Sequence, residues 1–262
     1  MSQQPASPTG VKPAVPYLDV LLRIHEDMRG REAGPYLYIG MPDVERVTCF
    51  GGGYGECLAS LGVEPGADAL FGQWLRDVKR AFPGGGWGKA YLEEFHGDQD
   101  RALRKYLDFV AEFRALPREA LASLPWDFSG EHPATRVPSW TPARPPTPTL
   151  DMLQEVRREV GDVPGRLGMF IGPIDVRRMG GFIEGYRLCL ALAGARDEEY
   201  ARFERWLQAE KAFPPGQDWE QPLLLACGGD HEQAIHKLLG LVAEFRSRGQ
   251  SAAGGPVLPS SK

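Results

Sequence analysis

At 262 residues, 42% hydrophobic and 25% charged, the chain has the composition of a soluble globular protein and not of a disordered one. A formal charge of -5 argues against a nucleic-acid binder, which needs a basic face, and no apolar run reaches the roughly 18 residues of a membrane span. The N-terminal MSQQPASPTGVKPAVP lacks a signal-peptide core, and Cys49, Cys57, Cys189 and Cys227 are too few and too scattered for a disulfide framework, so the expected compartment is the cytoplasm.

Residues 1–16 carry Pro, Gln, Ser and Gly without periodicity and read as a disordered tail. From Tyr17, the spacing of Leu18, Leu21, Leu22 and Met28 predicts an amphipathic helix ending at Gly30. Residues 31–40, REAGPYLYIG, predict an extended or turning segment against the core. Asp43 is placed to cap a second helix, in which Gly51, Gly52, Gly53 and Gly55 surround Tyr54. Each helical glycine costs about 1 kcal/mol relative to alanine, so another backbone is expected to approach closely there. A phosphate loop fits less well, because no Lys-Ser/Thr follows and no strand precedes.

Leu70, Phe71, Trp74, Leu75 and Val78 mark a third helix, Trp87 to Phe95 a short fourth, and Leu103, Tyr106, Leu107, Val110 and Phe113 a fifth, opened by Gly97-Asp98. Residues 117–148 are too rich in proline for a persistent helix or central strand and read as a linker, with Trp126, Phe128 and Trp140 expected to dock. Residues 249–262 read as a second tail.

The segment 149–248 then replays 17–116. Asp43 to Gly62, DVERVTCFGGGYGECLASLG, meets Asp175 to Gly194, DVRRMGGFIEGYRLCLALAG, at a constant offset, and the chain reads as an internal duplication. The expected fold is all-α: two homologous units of about five helices, related by a pseudo-twofold in a monomer. Gly53, Tyr54, Gly185 and Tyr186 are its structural residues, the two Gly-Tyr pairs marking a tight helix crossing. Retained polar pairs are Asp19/Asp151, Asp43/Asp175, Arg46/Arg178, Asp98/Asp230, Glu112/Glu244 and Arg114/Arg246, read as helix caps and inter-helix ion pairs.

No histidine is retained between the copies, and no catalytic motif announces itself. Cys227, His231 and His236 are the candidate metal ligands, but Gly228-Gly229 interrupts their helical spacing and only three ligands are visible, so neither metal nor cofactor is expected. Cys57 and Cys189, at equivalent positions, read as small buried hydrophobes.

Tyr36-Leu37-Tyr38-Ile39-Gly40 followed by Phe50…Gly53-Tyr54, and Gly168-Met169-Phe170-Ile171-Gly172 followed by Phe182…Gly185-Tyr186, resemble a P-x-M-Y-I-G…F-x-x-G-Y signature of small helical bacterial proteins. These in turn resemble immunity partners of polymorphic toxins. The resemblance implies stoichiometric binding of a cognate toxin protein. Residues 17–116 hold 12 basic and 16 acidic side chains and residues 149–248 hold 13 and 16, so both segments suit a basic partner. The acidic run Asp197-Glu198-Glu199, which faces Pro65-Gly66-Ala67 in the first copy, is the candidate partner-binding patch. The alternatives are an enzyme with a site in the cleft between copies and a self-associating structural subunit.

Overall fold

The computed structural model describes residues 12–30, 39, 43–82, 86–123, 139–161, 163, 165–214 and 218–253. Among them every regular element is helical, as the 3.6-residue patterns predict. The chain divides into two compact units, Met1–Thr147 with Arg177–Arg196, and Pro148–Val176 with Asp197–Lys262. These do not follow the sequence boundaries 17–116 and 149–248, because most of one helix of the second segment is packed in the unit of the first.

The first unit contains α1 (Tyr17–Arg29), α2 (Val44–Ser60), a 3-10 turn (Gly66–Leu70), α3 (Phe71–Asp77), α4 (Trp87–Glu94), α5 (Gln99–Arg114) and α6 (Arg118–Ser123). It also takes residues 177–192 of α9 (Val176–Leu192). Leu18, Val20, Leu21, Ile24 and Met28 bury the apolar stripe of α1, and Leu103, Leu107 and Val110 that of α5. Trp87 stacks on Tyr106 at 3.9 Å, and Phe113 meets Phe71 at 5.3 Å and Trp74 at 5.4 Å.

The second unit contains α7 (Thr149–Val160), α8 (Gly168–Ile171), α10 (Glu198–Glu210), α11 (Glu220–Ala226) and α12 (His231–Ala253). Its contacts recur at positions equivalent to those of the first. Leu150, Met152, Leu153, Val156 and Val160 bury α7, and Phe245 meets Phe203 and Trp206, each at 5.6 Å.

Several sequence expectations need correction. Lys12–Pro16 is not a free tail: the Lys12 N–H donates to Ala193 O at 2.9 Å, the Ala14 N–H donates to Trp140 O at 2.7 Å, and Ala14 is buried. The proline-rich stretch begins with α6, because Arg118–Ser123 contains no proline and its backbone can close a helical turn. The last helix runs to Ala253, beyond the expected end at residue 248. In the second counterpart of the segment expected to be extended or turning, it is the turn that forms, as the four-residue helix α8 over residues 168–171. Of its first counterpart only Ile39 is described, fully buried; Tyr36, Leu37, Tyr38 and Gly40, like Trp126 and Phe128, lie outside the described residues.

Candidate functional site

The glycine helix and its counterpart meet each other. In the first unit a Cβ added to Gly53 would overlap the Phe182 carbonyl oxygen, and one added to Gly185 would overlap that of Phe50. Phe50 and Phe182, like Gly53 and Gly185, hold equivalent positions in the two segments, so the contact between α2 and α9 is reciprocal. Only residues without a side chain allow two helix backbones this close. The remaining glycines of α2 do not interrupt it: Gly51 makes room for the Tyr17 hydroxyl, and Gly55 faces open space.

Ion pairs flank this crossing. Arg46 reaches Glu184 at 2.6 Å, Arg178 reaches Glu45 at 2.5 Å, and Arg177 reaches Asp43 at 3.0 Å. The buried Tyr54 donates its hydroxyl to Val15 O at 2.7 Å and Tyr186 donates to Thr147 O at 3.0 Å. The Lys12 N–H bond to Ala193 O is matched by that of Arg144 N–H to Leu61 O at 3.1 Å. Cys57 and Cys189 lie one turn beyond the glycines, both buried. A hydrogen bond with the Cys189 thiol, and burial after it, push the Cys57 thiol far up, which holds it protonated and unreactive.

The retained polar residues fall into place as caps and ion pairs. Asp43, Asp98 and Asp230 accept from the N–H groups of Arg46, Arg101 and Gln233, each three residues on. The start of α2 is further capped by Gln99, whose Oε1 accepts from the Val44 N–H at 2.8 Å. At the equivalent place in the second segment, His231 Nδ1 accepts from the Val176 N–H at 3.2 Å. Glu112 pairs with Lys79 at 2.7 Å and Glu244 with Lys211 at 2.8 Å. Arg114 joins Asp19 and Asp68, and Arg246 joins Asp151 and Glu199. Burial raises the Asp68 carboxyl to about 6 although Arg114 pulls the other way.

These anchors fix the register of two helix pairs, α1 with α5 and α7 with α12. Six residues inward from Asp19 and from Arg114 stand His25 and Asp108. The buried His25 donates from Nε2 to the Asp108 carboxylate at 2.8 Å. Six residues inward from Asp151 and Arg246 stand Arg157 and Gly240. Here nothing closes the pair, and a cavity of about 870 Å³ opens between the helices. Gln154, Arg157 and Gly161 line one wall, Gln233, His236 and Gly240 the other, with Leu239 beneath. A Cβ at Gly240 would meet nothing within 4 Å. Arg157 is exposed and makes no ion pair among the described residues, whereas Arg158 pairs with Glu155. Sequence reasoning missed this groove; its signal was the exchange of a His/Asp pair for Arg/Gly at positions whose neighbours are retained.

The expected partner patch is only partly free. The Asp197 carboxylate accepts from the Thr149 N–H at 3.3 Å, at the start of α7, and Glu199 pairs with Arg246 at 3.2 Å, leaving Glu198 exposed. The candidate metal ligands are not gathered. Cys227 follows α11, Gly228 and Gly229 take positive φ and separate it from α12, His231 caps α9 through Nδ1, and His236 lines the groove. Among the described residues no three His, Cys, Asp or Glu side chains are grouped to hold a metal, and no helix is long and apolar enough to cross a membrane. No protein-family model, curated protein or solved structure matches the chain.

Proposed function

We propose that the protein is a protein-binding module, an immunity protein that neutralises a cognate bacterial toxin stoichiometrically in the cytoplasm, as a monomer built by internal duplication. Duplication is supported by caps, ion pairs, aromatic clusters and tyrosine hydrogen bonds that recur at one constant offset along the chain. Reciprocal approach at Gly53 and Gly185 supports a pseudo-twofold across the α2/α9 crossing.

The observation that carries the binding reading is the departure from this shared framework. Two copies of one scaffold need the same residues to fold, so a specific surface is free to form where they differ. One such difference with an open cavity is the α7/α12 groove, where Arg157 and Gly240 replace the closed His25–Asp108 pair. The exposed side chains of Val163 and Met169, at 47% and 80%, add apolar area to the segment that follows α7. Glu198 remains as an exposed charge suited to steering a basic partner.

Co-expression with the neighbouring gene tests this. Survival of cells carrying an otherwise lethal neighbour, with a 1:1 complex on size-exclusion chromatography, is the expected result. Failure to protect, or protection at far below one molecule per toxin, overturns it.

A further inference from the structure

The two helix pairs present one framework with and without an occupant. In α1/α5 the space between the helices is crossed by a carboxylate on α5, held by the histidine of α1. In α7/α12 the same register, fixed by Arg246 on Asp151, places a cation on α7 opposite a residue with no side chain on α12. The base is thus retained in stronger form, as an arginine that is always charged, while the acid is missing.

Resting on the reading of this groove as the partner site, we infer that it receives a carboxylate side chain of the partner protein, held by Arg157 where Asp108 lies in the other pair. Chemistry on the opposite wall agrees. His236 and Gln233 offer donors, and neither side chain has a partner among the described residues. Two acidic residues, Asp230 and Glu232, also line the cavity, but they do not fill the place. Asp230 accepts from the Gln233 N–H and Glu232 from the Gly165 N–H at 2.8 Å. Both lie at the N-terminal end of α12, where the helix dipole offsets their charge. Glu232 is eight residues from Gly240, about 12 Å along the helix axis. A carboxylate entering beside Gly240 therefore meets Arg157 before it meets either acid. A guanidinium holds a carboxylate through two parallel N–H bonds, which gives direction as well as attraction.

The experiment needs no partner. The full-length, isotope-labelled protein is titrated with N-acetylglutamate N-methylamide, with its glutamine counterpart and with inorganic phosphate, and amide shifts are followed by NMR. Saturable shifts at Arg157, His236 and Gly240 are expected with the glutamate probe, absent with glutamine and weaker with phosphate. Arg157→Gln should weaken the glutamate response roughly tenfold or more, the loss of one charged hydrogen-bonded pair. Gly240→Asp supplies the carboxylate from within and should abolish it while leaving the rest of the spectrum in place. No response, an equal response to glutamine, tighter binding of phosphate, or a response surviving in both variants overturns the inference. A toxin retained equally by wild type and Gly240→Asp would leave the immunity reading standing and remove this one. Conversely, a clean titration without any protected toxin would leave the carboxylate site and remove the immunity function.

Discussion

The α1/α5 and α7/α12 pairs have the same apolar stripes, the same cap on their second helix and an Arg–Asp pair at the same register, yet one is closed and the other open. In the first, His25 and Asp108 satisfy each other. In the second, Arg157 and Gly240 cannot, and the helices enclose a groove. The difference teaches that the packed core and the open groove are set by different positions of one helix. Positions 18, 21 and 24, and their counterparts 150, 153 and 156, face inward and stay apolar, whereas the next position changes from a buried histidine, His25, to an exposed arginine, Arg157.

The comparison breaks most decisively at the crossing, where the two segments should behave alike. Gly53→Ala and Gly185→Ala each place a methyl on a backbone carbonyl of the other helix, and each should cost about 3 kcal/mol or more in urea melts. Gly55→Ala, in open space on the same helix, should instead gain about 0.5 to 1 kcal/mol. Equal and small effects at all three would show that the crossing is not tight.

Removing the anchoring arginines should separate the pairs. Arg114→Ala strands Asp68, whose side chain is only 8% exposed, and should cost about 2 to 3 kcal/mol. Arg246→Ala leaves Asp151 and Glu199, at 43% and 27% exposure, closer to water, and should cost about 1 kcal/mol. Reversal of that order would mean that the second pair depends more on its ions than its exposure suggests.

Asp68 also gives the first unit a pH dependence that the second lacks, since Tyr200 stands at the corresponding position. Its carboxyl is raised to about 6 in the fold, above its unfolded value of about 3.9, so between these values the native state binds more protons. Stability from this group is therefore greatest at low pH and falls as pH rises through about 6. Relative to Asp68→Asn, the wild type should lose on the order of 1 to 2 kcal/mol between about pH 4 and pH 7. Parallel stability profiles for the two proteins would refute the assignment.

The smallest effect is at the surface. Glu198→Lys should change stability by less than about 0.5 kcal/mol, and should slow association with a basic partner in a salt-dependent way if the acidic face steers it. A change in the dissociation rate alone would place Glu198 inside the interface and not at its edge.

Much of the framework was legible because local rules govern it. Asp43, Asp98 and Asp230 stand at helix starts, where only a few side chains can accept from free N–H groups, and they act as caps. Gly53 and Gly185 recur in helices that would otherwise avoid glycine, which points to close approach without naming what approaches. The partner of each was not legible, since the α2/α9 contact joins distant parts of the chain and no period records it. Asp197 and Glu199 read as part of a free partner-binding patch because sequence cannot place the Thr149 N–H and Arg246 against them. The groove escaped for the complementary reason. Its defining feature is a side chain that Gly240 does not have.

The long span of the α2/α9 contact sets a timetable during synthesis. Residues 177–196 belong to the same compact unit as residues 1–147, so the ribosome must deliver the chain past Arg196 before that unit can close. Until then α2 holds an uncovered glycine face, beside which Phe50 and Tyr54 will later be buried. Contacts so distant in sequence form late, because the chain between them must be ordered first. Before that point the N-terminal half lacks the helix that covers α2 at Gly53, and the unit closes only when residues 177–196 arrive.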